Sequence, residues 1–161
     1  MKEIDLVKKT DELKYPPLEK HVGARLWRLS EMWKRLFDQE MMALGYPYFA
    51  EARGNILRYV GPKGVGQGAI VRRMGLSKQA VQQLIDELVK DGVIKKTPDP
   101  EDGRSNIIIL TQAGLAAMHD ANIVKRKIEQ RYMKLIGQSK LNHLNDMLDE
   151  LADGLQTNET K

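Results

Sequence analysis

The stretch Gly68–Thr111, GAIVRRMGLSKQAVQQLIDELVKDGVIKKTPDPEDGRSNIIILT, decides the fold. Its apolar residues predict a short helix that ends at Gly75 and then a longer amphipathic helix, for which Ser77 is a suitable N-cap. Two β-leaning runs follow, Val93–Thr97 and Ser105–Leu110, and the turn-forming residues PDPEDGR join them. A helix, a turn, a second helix and a hairpin in this order predict a winged helix-turn-helix.

The second helix of this motif has one apolar side and one polar side. The side predicted to be buried carries Val81, Leu84, Ile85 and Leu88. In a helix-turn-helix the second helix lies in the major groove, with its N-terminal residues at the base edges. Its first two turns carry polar side chains without negative charge, and glutamine can pair with adenine while lysine reaches guanine or a phosphate. We therefore predict DNA contacts by Ser77, Lys78, Gln79, Gln82 and Gln83. The alternative is an ordinary solvated helix face.

The basic charge of the chain is modest. The net charge is +4 at pH 7 and the pI is about 9.2, values that permit an acidic partner such as nucleic acid without requiring one. Any basic surface must therefore come from how the charges are sorted in space. We add Arg72 and Arg73 of the short helix to the predicted DNA-binding residues.

A glycine-rich segment, Gly61–Gly68 (GPKGVGQG), precedes the motif and is predicted to be an exposed connector. It resembles a phosphate-binding loop superficially, but it lacks the Gly-Lys-Ser/Thr ending and no strand is predicted before it. A nucleotide site is therefore not expected. Lys63 is included among the predicted DNA-binding residues through a backbone contact, although a solvated loop is the competing interpretation.

The hairpin turn is rich in acidic residues. Asp99, Glu101 and Asp102 make it a poor electrostatic fit to DNA unless these groups serve internally. Arg104 is the cation at the tip, and it could enter the minor groove or contact a phosphate. Asp102 is close enough in sequence to orient it. The alternative is a polar hairpin without a ligand.

The run Asp99–Gly114, DPEDGRSNIIILTQAG, resembles the signature wing of the MarR family of transcriptional regulators. The run MGLSKQAVQQLIDELVKDGVIKK resembles that family's recognition helix and the strand after it. The resemblance implies a homodimer that offers the long helix to the major groove and the wing to the minor groove. It makes Arg104 the wing arginine and Asp102 the aspartate that supports the wing. Gly103 stands where many members carry another arginine, which weakens the grip of the wing, and the connector is longer than is common in the family.

The remaining sequence predicts helices on both sides of the motif, so the expected fold is mainly α with a small β-hairpin wing. A long helix is predicted within Leu18–Leu44, a weaker one at Phe49–Val60, and a helical C-terminal part broken at Gly137-Gln138-Ser139. We predict an arm and dimerisation helix in residues 1–47, the DNA-binding region in 48–114 and dimerisation helices in 115–161. The predicted dimerisation residues are Leu18, Val22, Leu141, Leu144, Leu148 and Leu151. A monomer whose helices cover one another is the alternative.

Several classes of function are not expected. The absence of cysteine excludes disulfides, thiol chemistry and Cys-type zinc sites. No catalytic pattern, cofactor motif, signal peptide or membrane span is recognisable, so we expect a cytoplasmic protein that is not an enzyme. The histidines are far apart in sequence and predict no metal site: His21, His119 and His143. An aromatic ligand pocket could be formed by Trp27, Trp33, Phe37 and Tyr46, although core packing is the simpler interpretation.

Together these observations predict a sequence-specific regulator that binds double-stranded DNA as a homodimer on a palindromic operator. The resemblance to the MarR family further implies repression by occupancy of promoter DNA and release by a small aromatic or anionic effector. The alternative is a winged-helix module that binds another protein and shows no sequence-specific DNA binding.

Overall fold

The computed structural model describes residues 21–99 and 105–158, and the chain divides into two compact units, Met1–Leu36 and Phe37–Lys161. Predicted site residues Leu18, Asp102 and Arg104 lie outside the described residues. Helix α1 spans Val22–Ala43, so its first part belongs to the first unit. His21 caps its start, because the Ala24 N–H donates to His21 Nδ1 over 3.4 Å. The predicted end holds, since Gly45 follows with φ +88°.

The segment after α1 forms two 3₁₀ helices, Pro47–Ala50 and Ala52–Tyr59, rather than the single helix predicted at Phe49–Val60. Glu51 between them is extended. The chain folds back so tightly that a Cβ on Gly54 would lie 2.4 Å from the Tyr48 carbonyl oxygen. This compact turn places Ile56 and Leu57 in the core, where they are almost wholly buried.

The wing is a three-stranded antiparallel sheet, not a two-stranded hairpin. Strands β1 (Val65–Gly66), β2 (Ile94–Pro98) and β3 (Asn106–Leu110) lie in the order β1-β3-β2. The prediction of an exposed connector at residues 61–68 is therefore wrong for Val65, which pairs with Ile108. The β1–β3 pairing requires a glycine at position 64. Gly64 has φ +80°, and any Cβ there would lie 2.5–2.8 Å from side-chain and backbone atoms of β3. The glycine permits close backbone approach.

The helix-turn-helix follows the predicted pattern. Helix α2 spans Gln67–Met74, Gly75 is left-handed at φ +63°, and α3 spans Lys78–Lys90. The N-cap prediction is confirmed, because Ser77 Oγ accepts from the Ala80 N–H at 3.1 Å. At the other end Gly92 has φ +72°, and the Val93 and Gly92 N–H groups donate to the Leu88 and Val89 carbonyls at 3.0 Å each. This is a Schellman C-cap, which requires the left-handed residue that glycine supplies.

Two long helices complete the second unit. Helix α4 spans Gln112–Ile136 and α5 spans Gln138–Asn158, so the predicted break at Gly137 is confirmed. Thr111 caps α4 as predicted, by accepting from the Gly114 N–H at 3.1 Å. Among the helices that the structure describes, none is long and apolar enough to cross a membrane.

The core of the second unit joins α2, α3, the sheet and α4 through fully buried aliphatic side chains. Its largest members are Met41, Ile56, Leu57, Ile70, Ile85, Leu88, Ile94, Ile108, Val81 and Val124. The predicted buried stripe of α3 is confirmed for Val81, Ile85 and Leu88, while Leu84 is half-buried. Burial of this stripe leaves the opposite side of α3 facing outward.

Candidate nucleic-acid interface

The outward side of α3 carries the predicted base-reading residues. Ser77, Lys78, Gln79 and Gln83 are exposed, and Gln82 is half-buried. The acidic residues of the helix come later, beginning at Asp86, so its N-terminal half presents polar and cationic groups alone. Positive potential at a helix N-terminus further favours an anionic partner there. The side chains nearest the start of α3 are thus available to a nucleic acid.

Gln82 differs from its neighbours because its amide is held inside the chain. Gln67 Nε2 donates to Gln82 Oε1 at 2.7 Å, and Gln82 Nε2 donates to both carboxylate oxygens of Asp86 at 2.9 Å. Lys96 Nζ on β2 donates to the same carboxylate. These contacts hold the pKa of Asp86 below its usual value, through Lys96 first and Gln82 second. We call the four residues Gln67, Gln82, Asp86 and Lys96 the polar brace, since they link α2, α3 and the wing.

Gln83 has a weaker partner within its own helix. Its Nε2 donates to Glu87 Oε1 over 3.3 Å, and both groups lie one turn apart on the surface of α3. A contact of this length between exposed groups competes poorly with water. Gln83 can therefore leave Glu87 and turn toward a base edge, which Gln82 can do only by breaking its shorter bonds.

The predicted cations outside α3 occupy different environments. Arg73 lies over the ring of Tyr59, with its guanidinium carbon 5.9 Å from the ring centroid, a cation–π contact that orients it. Arg72 is exposed on the same helix. Lys63 is exposed in the turn before β1, and the β1–β3 pairing holds the end of this turn in place. All three are therefore placed where a partner could reach them.

The C-terminal end of α3 is anchored by an ion pair that sequence reasoning missed. Arg53 Nη1 lies 2.9 Å from Asp91 Oδ2, and Arg53 Nε lies 2.9 Å from Glu51 Oε2. Thr111 Oγ1 also lies 2.6 Å from the Gly92 carbonyl oxygen, to which it donates. Sequence spacing could not have paired Arg53 with Asp91, because the pair forms only where tertiary folding packs the second 3₁₀ helix against α3. These contacts hold the C-terminal end of α3 and so fix the direction of the helix.

The base of the wing turn shows how its acidic residues are used. The Asp99 N–H donates to the Ser105 carbonyl oxygen at 3.0 Å, and Ser105 Oγ donates to Asp99 Oδ2 at 3.2 Å. The expectation that an acidic group serves internally is thus confirmed for Asp99. The predicted roles of Arg104 and Asp102 concern residues beyond the described part of the wing.

The aromatic residues proposed for a ligand pocket are placed in separate environments. Phe37 is buried edge-on against Phe49, with ring centroids 5.6 Å apart. Tyr46 Oη donates to Asp120 Oδ2 at 2.7 Å, a bond that raises the pKa of Tyr46. Trp27 and Trp33 belong to the first unit, and Trp27 is 71% exposed. Among the described residues no group of three or more His, Asp or Glu side chains could hold a metal ion.

The predicted dimerisation residues fall into two groups. Leu141 is only 4% exposed, so it already packs within the chain. Leu148, Leu151 and Val22 are exposed apolar side chains, and Leu144 is half-buried. Leu155 and Met147 extend the exposed apolar side of α5. Apolar surface of this extent is typical of a face that another chain covers.

Comparison with known proteins finds a family that the winged-helix segment resembles. Residues 52–105 match the model of the MarR family, a segment that includes α2, α3 and β2. The HTH-type transcriptional repressor IacR of Pseudomonas putida is 29% identical over 77 residues, which cover 48% of this chain and 46% of the relative. The matched stretch thus spans about half the length of that relative.

Two solved structures share the fold over most of the chain. The transcriptional repressor CouR bound to a 23-mer DNA duplex is 26% identical and has a TM-score of 0.68, covering 88% of this chain and 99% of that one. The PcaV transcriptional regulator from Streptomyces coelicolor, in complex with its natural ligand, is 20% identical with a TM-score of 0.64, covering 88% and 98%. The winged-helix segment of this chain is thus similar to the MarR family of transcriptional regulators, and the chain shares the fold of these two regulators.

Proposed function

We propose that this protein binds double-stranded DNA sequence-specifically as a homodimer and represses transcription from the promoter it occupies. The observation that carries the proposal is the outward side of α3: an exposed polar start at Ser77, Lys78 and Gln79, set on a fully buried aliphatic stripe. Caps at both ends and the Arg53–Asp91 ion pair hold the helix rigidly. A rigid helix with an exposed N-terminal half is what major-groove reading requires.

The contacts divide into base reading and phosphate binding. Gln79 and Gln83 offer amides that can pair with adenine, and Lys78 can reach guanine or a phosphate. Arg72, Arg73 and Lys63 are suited to the phosphate backbone, which sets affinity and register but carries no sequence information. Arg104 at the wing would enter the neighbouring minor groove, with Asp102 as its support. CouR, which shares this fold, is a repressor with DNA bound.

Dimerisation is supported by exposed apolar side chains on the helices outside the winged helix. Residues 1–47 and 115–161 would supply the contacts, through Leu18 and Val22 in the first segment and Leu144, Leu148 and Leu151 in α5. A two-fold dimer presents two recognition helices about 34–36 Å apart, the separation of half-sites one helical turn apart. The operator would accordingly be palindromic.

The dimer must fit both of its α3 helices into one face of the DNA at the same time. A small molecule that changes the separation of the helices would therefore release the dimer from its operator. Such a ligand binds the dimer more tightly when the two α3 helices have a separation that does not fit DNA. The loss of operator affinity is limited by how much more tightly the ligand binds that state than the DNA-binding state. PcaV, a protein of the same fold, has a natural ligand. We propose a small aromatic or anionic effector; benzoate is a simple first probe, and its failure to alter operator affinity at millimolar concentration would remove that ligand.

The DNA-binding proposal is tested by titrating the protein against genomic fragments at several salt concentrations, with the promoter beside its own gene included. We expect selective binding to few fragments and an affinity that falls steeply with salt, because phosphate contacts release counterions. A protein-binding module without DNA specificity would select no fragment. An affinity indifferent to salt would equally contradict the proposal.

Once a fragment is found, Gln79→Ala and Gln83→Ala test which residues read bases. Each is expected to cost about 1–3 kcal/mol at one base pair in each half-site, and to cost little on a duplex already altered at that base pair. Gln130→Ala is the matched control, since Gln130 is exposed on α4 far along the chain from the winged helix. Equal losses on all sequences would show that these glutamines do not read bases.

A further inference from the structure

The polar brace contains a lysine, Lys96, whose position would allow it to contact DNA if it were not bonded to Asp86. Lys96 lies on β2, beside the recognition helix, and its amino group is bonded to Asp86. Asp86 lies on the outward side of α3, where its side chain is 56% exposed, whereas that of Lys96 is 27% exposed. Gln79, Gln82, Gln83 and Asp86 line one shallow surface depression. Lys96 Nζ therefore sits at the margin of the surface proposed to meet DNA.

We propose that Asp86 is a specificity-determining positioning residue, which holds Lys96 away from DNA phosphates. A lysine on a flexible stem binds any phosphate with little regard for sequence. Pairing it with Asp86 removes one such indiscriminate contact per protomer. Asp86 also fixes Gln82 against Gln67, so the brace sets the angle between α2 and α3. Base reading by α3 then falls to Lys78, Gln79 and Gln83.

The chemistry of the brace supports this assignment. Asp86 accepts three short hydrogen bonds, two from Gln82 at 2.9 Å and one from Lys96, which satisfy its charge without a DNA partner. The same bonds keep it ionised, since they hold its pKa low. A lone carboxylate at this place would repel the phosphates on either side of the groove. Pairing with Lys96 makes the two groups neutral together as they approach DNA.

The inference rests on the proposed DNA-binding function, and Asp86→Asn tests it. The asparagine keeps the shape and can still accept from Gln82, but it loses the charge that holds Lys96. We expect the released lysine to add one phosphate contact, so the slope of log affinity against log salt on a random-sequence duplex steepens by about 0.9 per protomer. The ratio of operator to random-sequence affinity should fall several-fold.

Two controls separate this effect from a change in net charge. Glu87→Gln removes one negative charge from the next residue of α3, and it should leave the salt slope nearly unchanged. Lys96→Met by itself should not steepen the slope, because Lys96 makes no phosphate contact in the wild type, although the Asp86 carboxylate left without its cation should lower the affinity for every duplex. Combined with Asp86→Asn, it should abolish the steeper slope. A slope that steepens equally in Glu87→Gln, or persists in the double variant, would overturn the inference.

A measurement without DNA distinguishes failure of the inference from failure of the proposed function. The acylation rate of Lys96 by an amine-reactive ester, followed by peptide mass spectrometry, should rise in Asp86→Asn, while exposed Lys95 reacts at an unchanged rate. An unchanged Lys96 rate overturns the brace, whatever the DNA result. A wild-type protein that selects no fragment overturns the proposed function and with it the specificity role. Selective wild-type binding with an unaltered Asp86→Asn ratio overturns the inference alone.

Discussion

Replacing Gly114 by alanine is expected to destabilise the protein by about 2–3 kcal/mol. Gly114 is the third residue of α4, where the helix start packs against the corner between α3 and β2. A Cβ at this position would lie 2.1 Å from the Val93 carbonyl oxygen and 3.1 Å from Leu110 Cδ2. Ordinary contact begins near 3.4 Å, so the helix start and the carbonyl must separate by more than 1 Å.

The magnitude follows from what that separation disturbs. The Val93 carbonyl accepts from the Thr111 N–H at 3.0 Å, a bond that joins the corner to the start of α4. Losing it costs about 0.5–1.5 kcal/mol, and overpacking against backbone costs about 1–3 kcal/mol. Alanine returns up to about 1 kcal/mol through its helix propensity. For a chain of this size, the net loss lowers Tm by roughly 4–12 °C.

Urea denaturation at fixed protein concentration measures the loss, with thermal unfolding as a second reading. Gly68→Ala is the matched control, because Gly68 also lies in the first turn of a helix and its Cβ would meet Arg72 Nη1 at an unstrained 3.6 Å. The control should be neutral or slightly stabilising. A Gly114→Ala protein within about 0.5 kcal/mol of that control would refute the close-packing argument, since surface substitutions fall in that range.

Three further predictions concern the cap, the buried tyrosine and the dimer. Ser77→Ala should cost about 1 kcal/mol of unfolding free energy through loss of the bond to the Ala80 N–H; Ser77→Asp, which can still cap, should retain most of it, and equal losses in urea denaturation would contradict the cap. Burial raises the pKa of Tyr48 to about 12, so the tyrosine ionises at lower pH in the unfolded chain than in the folded one. Its contribution to the free energy of unfolding is complete below pH 10 and is lost as pH rises toward 12. Wild type should therefore lose up to about 2–3 kcal/mol more than Tyr48→Phe between pH 9.5 and 12, and parallel urea curves would exclude this cause. Leu151→Glu should shift sedimentation equilibrium from dimer to monomer while Asp146→Asn, on the opposite side of α5, does not; a wild type that is already monomeric would exclude the dimer.

Much of the winged helix could be predicted because its signals are local. Ser77, Gly92 and Thr111 act on backbone groups within five residues, and the structure places each cap where the sequence predicts it. The stripe of α3 repeats at helical spacing, which is enough to identify its buried side. The Gly137 break is equally local, since one glycine with φ +85° ends α4.

The third strand and the brace could not be predicted in this way. Val65–Gly66 is too short to show an alternating pattern, and its pairing is defined by Ile107 and Ile108 some forty residues later. Gln82 has the residue type and the helical position of a base-reading residue, but its amide is hydrogen-bonded to Gln67 and Asp86. Residue type alone does not distinguish an available glutamine from a bonded one.

The sequence by itself determined where α2, α3 and α4 lie and which side of α3 is apolar, since these depend on neighbours along the chain. It did not determine the two 3₁₀ helices after α1. The tertiary structure decided which polar groups remain available. It paired Tyr46 with Asp120 across 74 residues, Arg53 with Asp91, and Lys96 with Asp86. Such contacts depend on the path of the chain between the partners, because hydrogen bonds and ion pairs form only where folding brings the atoms within about 3 Å of each other.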